Sequence, residues 1–288
     1  MTRRREIEEH RAKLDEIREI MNSMKTLAYM ETRKLARFID AQHAVVASQE
    51  AVAADFLQHY PEALPEREQG TPVYLLMGSE RSFCGNFNER LLLDLDSSLD
   101  KKSQPLLLAL GQKLHSVLTA QGREVVALQG ANAVEEVEAV LGRLVETVAV
   151  LQEQHGPLDL YVLYHGGEEA ESLMQQLLPP FQSLKTAASV SAHPPLLNET
   201  PAEFLVGLTD HYLFSVLHAM LYTSLMAENR LRLQHLEGAV RHMEDKVAQL
   251  LSQSNALRQE EIIEEIEVIL LSAELTERPA PHQHKLPR

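Results

Sequence analysis

Cys84 is the only cysteine in 288 residues, and its setting invites a chemical reading. It lies in "GSERSFCGNFNERL" (78–91), after the strand-like apolar run "PVYLLM" and before a helical stretch. A cysteine on a strand–loop–helix turn has the placement of a nucleophile elbow, and a helix N-terminus lowers a thiol's pKa. An elbow wants small residues two before and two after the nucleophile. Here those positions are Ser82 and Asn86. A general base is needed as well. None of the thirteen histidines sits in a recognisable pairing motif, and His165, closing "LDLYVLYH", is the best placed. The competing reading is a cysteine that packs as a small hydrophobe.

The other chemical signals are weaker. "HGGEE" (165–169) carries a glycine pair at a strand-to-helix turn without the spacing of a dinucleotide or phosphate loop. His282 and His284 in "HQH" sit in a Pro-rich tail with no cysteine partner, a poor metal site. The carboxylates of "EEIIEEIE" (260–267) spread over several helix faces and read as solvated surface. No Walker lysine motif occurs, so no metal, cofactor or catalytic residue is assigned from these stretches, and nucleotide hydrolysis by this chain is not expected.

The elements that would position these residues are unusual. Residues 3–58 contain no proline or glycine, and Leu14, Ile17, Met21, Met24 and Ala28 follow a 3-4-3-4 spacing, continued by Leu35, Phe38, Ala41 and Val45. That spacing predicts one long helix with a heptad seam. "YPEALPEREQGTP" ends it. A second helix begins at Thr200, with Pro201 in its first turn and Glu203 completing a capping box. Leu236, Val240, Met243, Val247, Leu250, Ser254 and Leu257 repeat the same spacing. At 1.5 Å per residue these helices reach roughly 80 and 110 Å, and neither can bury its stripe alone. Between them, "PVYLLM", "PLLLAL", "EVVAL" and "LDLYVLYH" read as buried strands separated by helices near 86–96, 111–121 and 133–154, with "TAASVSAHPPL" (186–196) as a possible last strand.

The expected organisation is therefore a long helix over 1–60, an α/β domain over 71–197, a long helix over 200–277, and a disordered tail over 278–288. The fold class is α/β plus a long antiparallel coiled coil, with a small, mostly parallel Rossmann-like domain inserted between the paired helices. Net charge is −15, yet residues 1–37 hold ten Lys/Arg against seven Asp/Glu. So acidic a chain is a poor nucleic-acid binder. Its basic start reads as a solvated face with intra-helix ion pairs, the alternative being a surface aimed at an acidic partner. No apolar run approaches a membrane span, no signal-peptide core is present, and one cysteine suits a reducing compartment.

Three stretches resemble the gamma subunit of F-type ATP synthases. Ser79, Arg81, Cys84, Gly85, Phe87 and Asn88 match the family's S-D-R-G-L-C-G-G-F-N loop, while Glu80, Ser82, Phe83 and Asn86 depart from it. "IREIMNSMKTLAYMETRKL" is similar to the family's first-helix segment, with Met24, Lys25, Ala28, Lys34 and Leu35 in register. "SNALRQEEIIEEIEVI" is similar to its last-helix segment through Asn255, Arg258, Gln259, Ile262, Glu265, Ile266 and Ile269. The diluted lysines of the first helix and the extra Glu260, Glu261 and Glu264 point to an atypical branch, serving an alternative or Na⁺-translocating ATPase.

The resemblance implies a non-catalytic central-stalk rotor that couples ion-driven rotation to conformational change at the catalytic subunits. Its implied partners are the alpha and beta subunits, the epsilon subunit and the membrane c-ring, with no nucleic acid and no direct membrane insertion. It would sit peripherally on the cytoplasmic side of the inner or plasma membrane, through the complex. Met24, Lys25, Asn255, Arg258 and Gln259 become its partner contacts, and Arg81, Cys84, Gly85, Phe87 and Asn88 a packing loop. The readings set against it are a cysteine hydrolase-like enzyme with coiled-coil arms and a homodimeric coiled-coil scaffold.

Overall fold

Proline-free, glycine-poor sequence at the two chain ends forms helices, two in succession at the first end and one long helix at the second. The computed structural model describes residues 3–65, 69–99, 105–167, 170–182 and 193–276. Helix α1 is Arg3–Leu35, α2 is Ile39–His59, and α6 is Pro201–Thr276, 76 residues without a break. Thr200 and Glu203 cap α6 reciprocally. The Thr200 N–H donates to Glu203 Oε2 at 3.1 Å and the Glu203 N–H to Thr200 Oγ1 at 3.3 Å. The described chain forms two units, Met1–Ser23 with Glu237–Arg288, and Met24–Leu236.

In the first unit the two chain ends run antiparallel. Ser254 Oγ donates to Glu8 Oε1 at 3.2 Å, and Arg4 Nε pairs with Glu261 at 2.9 Å. Met21, Val240, Leu250 and Ser254 are buried, and Leu14, Met243, Val247 and Leu257 are half-buried. Each fully buried aliphatic side chain is worth ~1.5–3 kcal/mol, which is what holds so narrow a contact. The basic N-terminal face is laced by pairs within its own helix, Arg4–Glu8, Arg5–Glu9 and Arg18–Asp15.

The N-terminal seam does not run on as its spacing predicts. The helix is interrupted at 36–38, where the Arg37 and Phe38 N–H groups bond to carbonyls three residues back rather than four. The tighter turn resets the helical phase. Phe38, Ala41 and Val45 are therefore exposed, and α2 buries Ala53, Phe56 and Leu57 instead. Ile17 is also largely exposed.

The second unit is built on a five-stranded sheet. Its strands are β1 (Thr71–Met77), β2 (Leu106–Leu110), β3 (Val126–Leu128), β4 (Leu158–Gly166) and β5 (Glu171–Gln176), in spatial order β3-β2-β1-β4-β5. The first four are parallel, and β5 returns antiparallel along β4. Helices α3 (Phe87–Ser98), α4 (Gln112–Ala120) and α5 (Val137–His155) cover it. Alternation along β1 decides the layers. Val73, Leu75 and Met77 join a core with α2, α5 and the first half of α6. Leu76 joins the other core with α3, α4 and Ala227 of α6.

Three expectations need correction here. The glycine pair at 166–167 leads from β4 to the antiparallel β5 rather than to a helix, and Glu168 and Glu169 lie outside the described residues. Of the strand proposed over 186–196, residues 186–192 lie outside the described residues, and 193–196 form no strand. The expectation that no apolar run approaches a membrane span fails for α6, which by length and composition could cross a membrane. Its apolar segment instead supplies Val216, Leu217, Met220, Leu221, Leu225 and Met226 to the sheet's core. The tail with His282 and His284 lies outside the described residues.

Candidate functional site

The cysteine loop is a knot at the C-terminal end of β1, and its backbone explains its side chains. Positive φ falls at Phe83 (68°) and Gly85 (61°), while Asn86 has φ −93°. The positions where the resembled loop carries further glycines, 82 and 86, need no left-handed residue here, so Ser and Asn fit. Phe83 sustains the strained conformation. Asn88 and Ser79 close the loop: the Ser79 N–H donates to Asn88 Oδ1 and Asn88 Nδ2 to Ser79 Oγ, both at 2.9 Å. Phe87 is fully buried, and Arg81 is exposed.

Cys84 is 5% exposed, its sulfur 3.5 Å from the Arg81 carbonyl, and burial pushes its thiol pKa up. That favours the neutral thiol rather than the thiolate that attacks. His165 does not serve it as a base. The ring is fully buried, packs on Phe87 at 4.0 Å between centroids, and faces the Phe87 carbonyl oxygen through Nε2 (2.7 Å) and that of Ala170 through Nδ1 (2.8 Å). Burial pushes its pKa down, with the two carbonyls pulling the other way. It is a staple joining β4, α3 and the β4–β5 turn.

Open parallel sheets bind ligands at the carboxyl ends of their strands, often with an anion on a helix N-terminus. In this sheet that position is taken from within. Glu80 Oε2 accepts the Gln112 N–H, the first of α4, at 2.9 Å and the Gly130 N–H at 2.8 Å. Gly111 (φ 113°) closes in so tightly that a Cβ there would lie 2.6 Å from the Ser79 carbonyl oxygen. The Glu80 carboxylate thus fills the role that a ligand phosphate plays elsewhere. Sequence reading took it only as a departure from a motif.

Sequence reading also missed a charged cluster on α6. Glu228 and Arg232 are 4% and 7% exposed and are paired through Oε1 and Nη2. Arg232 also donates from Nη1 to Asn229 Oδ1 at 3.0 Å and from Nε to the Ser82 carbonyl at 3.3 Å. Burial pushes the Glu228 carboxyl up, opposed by the adjacent guanidinium. Four residues earlier, Ser224 Oγ donates to the Met77 carbonyl at 3.2 Å. The cluster's only sequence signal was three charges, Glu228, Arg230 and Arg232, inside the apolar run "SLMAENRLRL".

The expected partner contacts fall in two places. Met24 and Lys25 lie half-buried on α1. Asn255, Arg258 and Gln259 are brought together on one exposed stretch of α6, at a spacing of three and four residues. Arg258 makes no ion pair among the described residues, despite the acidic run beside it. Beyond it Ile262, Ile266 and Ile269 are about half exposed or more. Lys34 closes α1 by reaching Glu31 (2.8 Å) and Glu135 (3.0 Å), and Leu35 beside it is fully buried.

A family model described as "ATP synthase" matches residues 3–274. An ATP synthase gamma chain of Clostridium beijerinckii is 23% identical over 279 residues, covering 92% of this chain and 95% of that one. Another, of Pelotomaculum thermopropionicum, is 22% identical over 274 residues, covering 88% and 94%. Among solved structures, a chain of the Euglena gracilis mitochondrial ATP synthase (OSCP, F1 and c-ring) aligns with a TM-score of 0.64 at 15% identity, over 98% of this chain and 99% of that one. A chain of the Tetrahymena thermophila central stalk and c-ring aligns with a TM-score of 0.57 at 15% identity, over 76% and 99%.

Proposed function

We propose, from the premise that this chain belongs to the ATP synthase family and is one of its gamma subunits, that it works as the non-catalytic shaft of the central stalk. One observation carries the reading: α6 supplies both the seam of the first unit and the core of the second in a single unbroken helix of 76 residues. A continuous helix transmits torsion between the parts that it joins. The sheet domain, 71–197, is the part that docks on the epsilon subunit and the c-ring. The helices over 1–60 and 200–277 form the shaft inside the ring of alpha and beta subunits.

The mechanism follows from asymmetry. A two-helix shaft has no rotational symmetry that matches a ring of alternating subunits, so each orientation offers different contacts to each catalytic subunit. Those differential contacts bias each subunit towards a different conformation. Arg258 offers a rigid donor fork, Gln259 a neutral donor and acceptor, Asn255 the same one turn earlier, and Lys25 a single cation on α1. Met24 and the exposed Ile262, Ile266 and Ile269 add apolar contact. The loop of Arg81, Cys84, Gly85, Phe87 and Asn88 holds the domain and does no chemistry. The chain is peripheral to the membrane, on its cytoplasmic side, through the complex.

The test is reconstitution. Alpha and beta subunits of the same source, mixed with this chain, should assemble and hydrolyse ATP faster than without it. Sedimentation of the chain as a stable homodimer that ignores alpha and beta would favour the scaffold reading. Hydrolase activity of the isolated chain, abolished by thiol labelling, would favour the enzyme.

A further inference from the structure

The buried charges on α6 stand in a row. Ser224, Glu228 and Arg232 are spaced by four, so they stack on one face over two helical turns, about 12 Å. The outer two reach the same short segment of backbone, and in order. Ser224 bonds the Met77 carbonyl and Arg232 the Ser82 carbonyl, while Glu228 between them holds the Arg232 guanidinium. That segment is the end of β1 and the start of the cysteine loop. It is anchored in turn by Asn88 on Ser79 and by Glu80 on the N-terminus of α4.

Stability does not account for such a pair. Removing two charges from water costs about as much as their attraction returns, and apolar residues of similar volume often do as well or better. The surrounding contacts, Leu225 and Met226 on one core and Ala227 on the other, already hold the helix to the sheet. Apolar contact is non-directional, however, and a smooth helix can turn or slide against it. Hydrogen bonds fix both angle and register.

We infer that Glu228 and Arg232, with Ser224, form a registry clamp that locks α6 to the sheet domain against rotation about the helix axis, so that torque passes between domain and shaft without slip. This rests on the rotor reading above. Glu228 and Arg232 are then positioning residues for coupling. They touch no nucleotide, and their loss shows as slip under load. Slip grows with the opposing ion gradient, because a weakened tie yields more often the harder it is pulled.

The experiment uses the whole ATP synthase in sealed membrane vesicles, measuring ions pumped per ATP hydrolysed against increasing opposing gradient. Two variants are compared with wild type, Arg232→Lys and the double variant Glu228→Leu with Arg232→Met. The first keeps a charge but loses the fork, and the second is an apolar replacement of similar volume. The expected result is normal assembly and thermal stability for the double variant, with pumping per ATP lowered at least severalfold and falling further as the gradient rises. Arg232→Lys should fall between it and wild type.

A double variant whose pumping ratio and load dependence equal wild type overturns the clamp. So does a double variant that cannot fold, since the pair would then be a stability element. If the wild-type chain fails to restore pumping to a complex lacking its gamma subunit, the rotor reading itself fails, and the variants play no part in that outcome.

Discussion

The two halves of α6 are buried by different rules. From Ala219 to Asn229 every residue except Thr223 is buried, on all sides of the helix. Beyond Glu237 only Val240, Leu250 and Ser254 are fully buried among the described residues, in one narrow stripe. A helix buried all round has lost its apolar period, so spacing cannot tell it which way to face. Its orientation comes from directional bonds, those of Ser224 and of Arg232, which Glu228 holds in place. The distal half needs no such bonds, because a 3-4 stripe has one solution.

The largest expected effect tests the proximal half. Glu228→Ala leaves a guanidinium buried and unpaired, which should cost ~3–5 kcal/mol in denaturant unfolding. Glu237→Ala removes the same kind of i,i+4 pair, with Arg241 at 2.7 Å, from an exposed face and should cost about 0.5 kcal/mol or less. Equal effects would erase the distinction between the halves. Next comes the stripe: Val240→Asp places a charge in the seam and should cost several kcal/mol, read as a lower unfolding midpoint. An unchanged midpoint would break the antiparallel seam.

Smaller effects sharpen the picture of the loop. Cys84→Ala should cost ~1–2 kcal/mol and leave the assembled complex turning over; lost turnover in a correctly assembled complex would contradict a packing role. His165 gives a pH signature. Burial holds its folded pKa below the unfolded value of about 6.5, so below that value the unfolded chain binds the proton more tightly. Its contribution to stability is thus complete above pH ~6.5 and lost as pH falls from there towards the folded pKa. His165→Gln should flatten the pH slope of unfolding in that window; an identical slope in the variant would exclude the ring as its source.

On the chain's own stability Arg258→Ala with Gln259→Ala should have no effect, since both side chains are exposed. The pair should instead slow ATP hydrolysis by the alpha–beta–gamma complex, each contact being worth at most ~1.5–3 kcal/mol. Lys25→Ala should act more weakly and lose its effect at high salt. Wild-type rates in the double variant would remove these residues from the contact surface.

Legibility in the sequence followed the same division. The seam from Leu236 to Leu257 was readable because its period survives in side-chain type, and four strands were readable as apolar runs. The continuation through Phe38, Ala41 and Val45 misled, because a break without proline or glycine resets phase while leaving composition untouched. β5 was invisible: "ESLMQQ" pairs at the sheet's edge with no buried residue, so nothing in its pattern marks a strand. Nothing in the sequence marked the roles of Glu80, Glu228 and Arg232, since only the folded chain supplies the groups that they bind. Asn255, Arg258 and Gln259 were singled out by resemblance alone.

A shaft must turn. The direct measurement attaches a bead through Leu93→Cys, an exposed position on α3 of the sheet domain, in a complex whose alpha and beta subunits are fixed to a surface. On adding ATP the bead should rotate in one direction, in steps that stop when ATP is exhausted. ATP hydrolysis by the same assembled complexes with a bead that never turns would contradict the account.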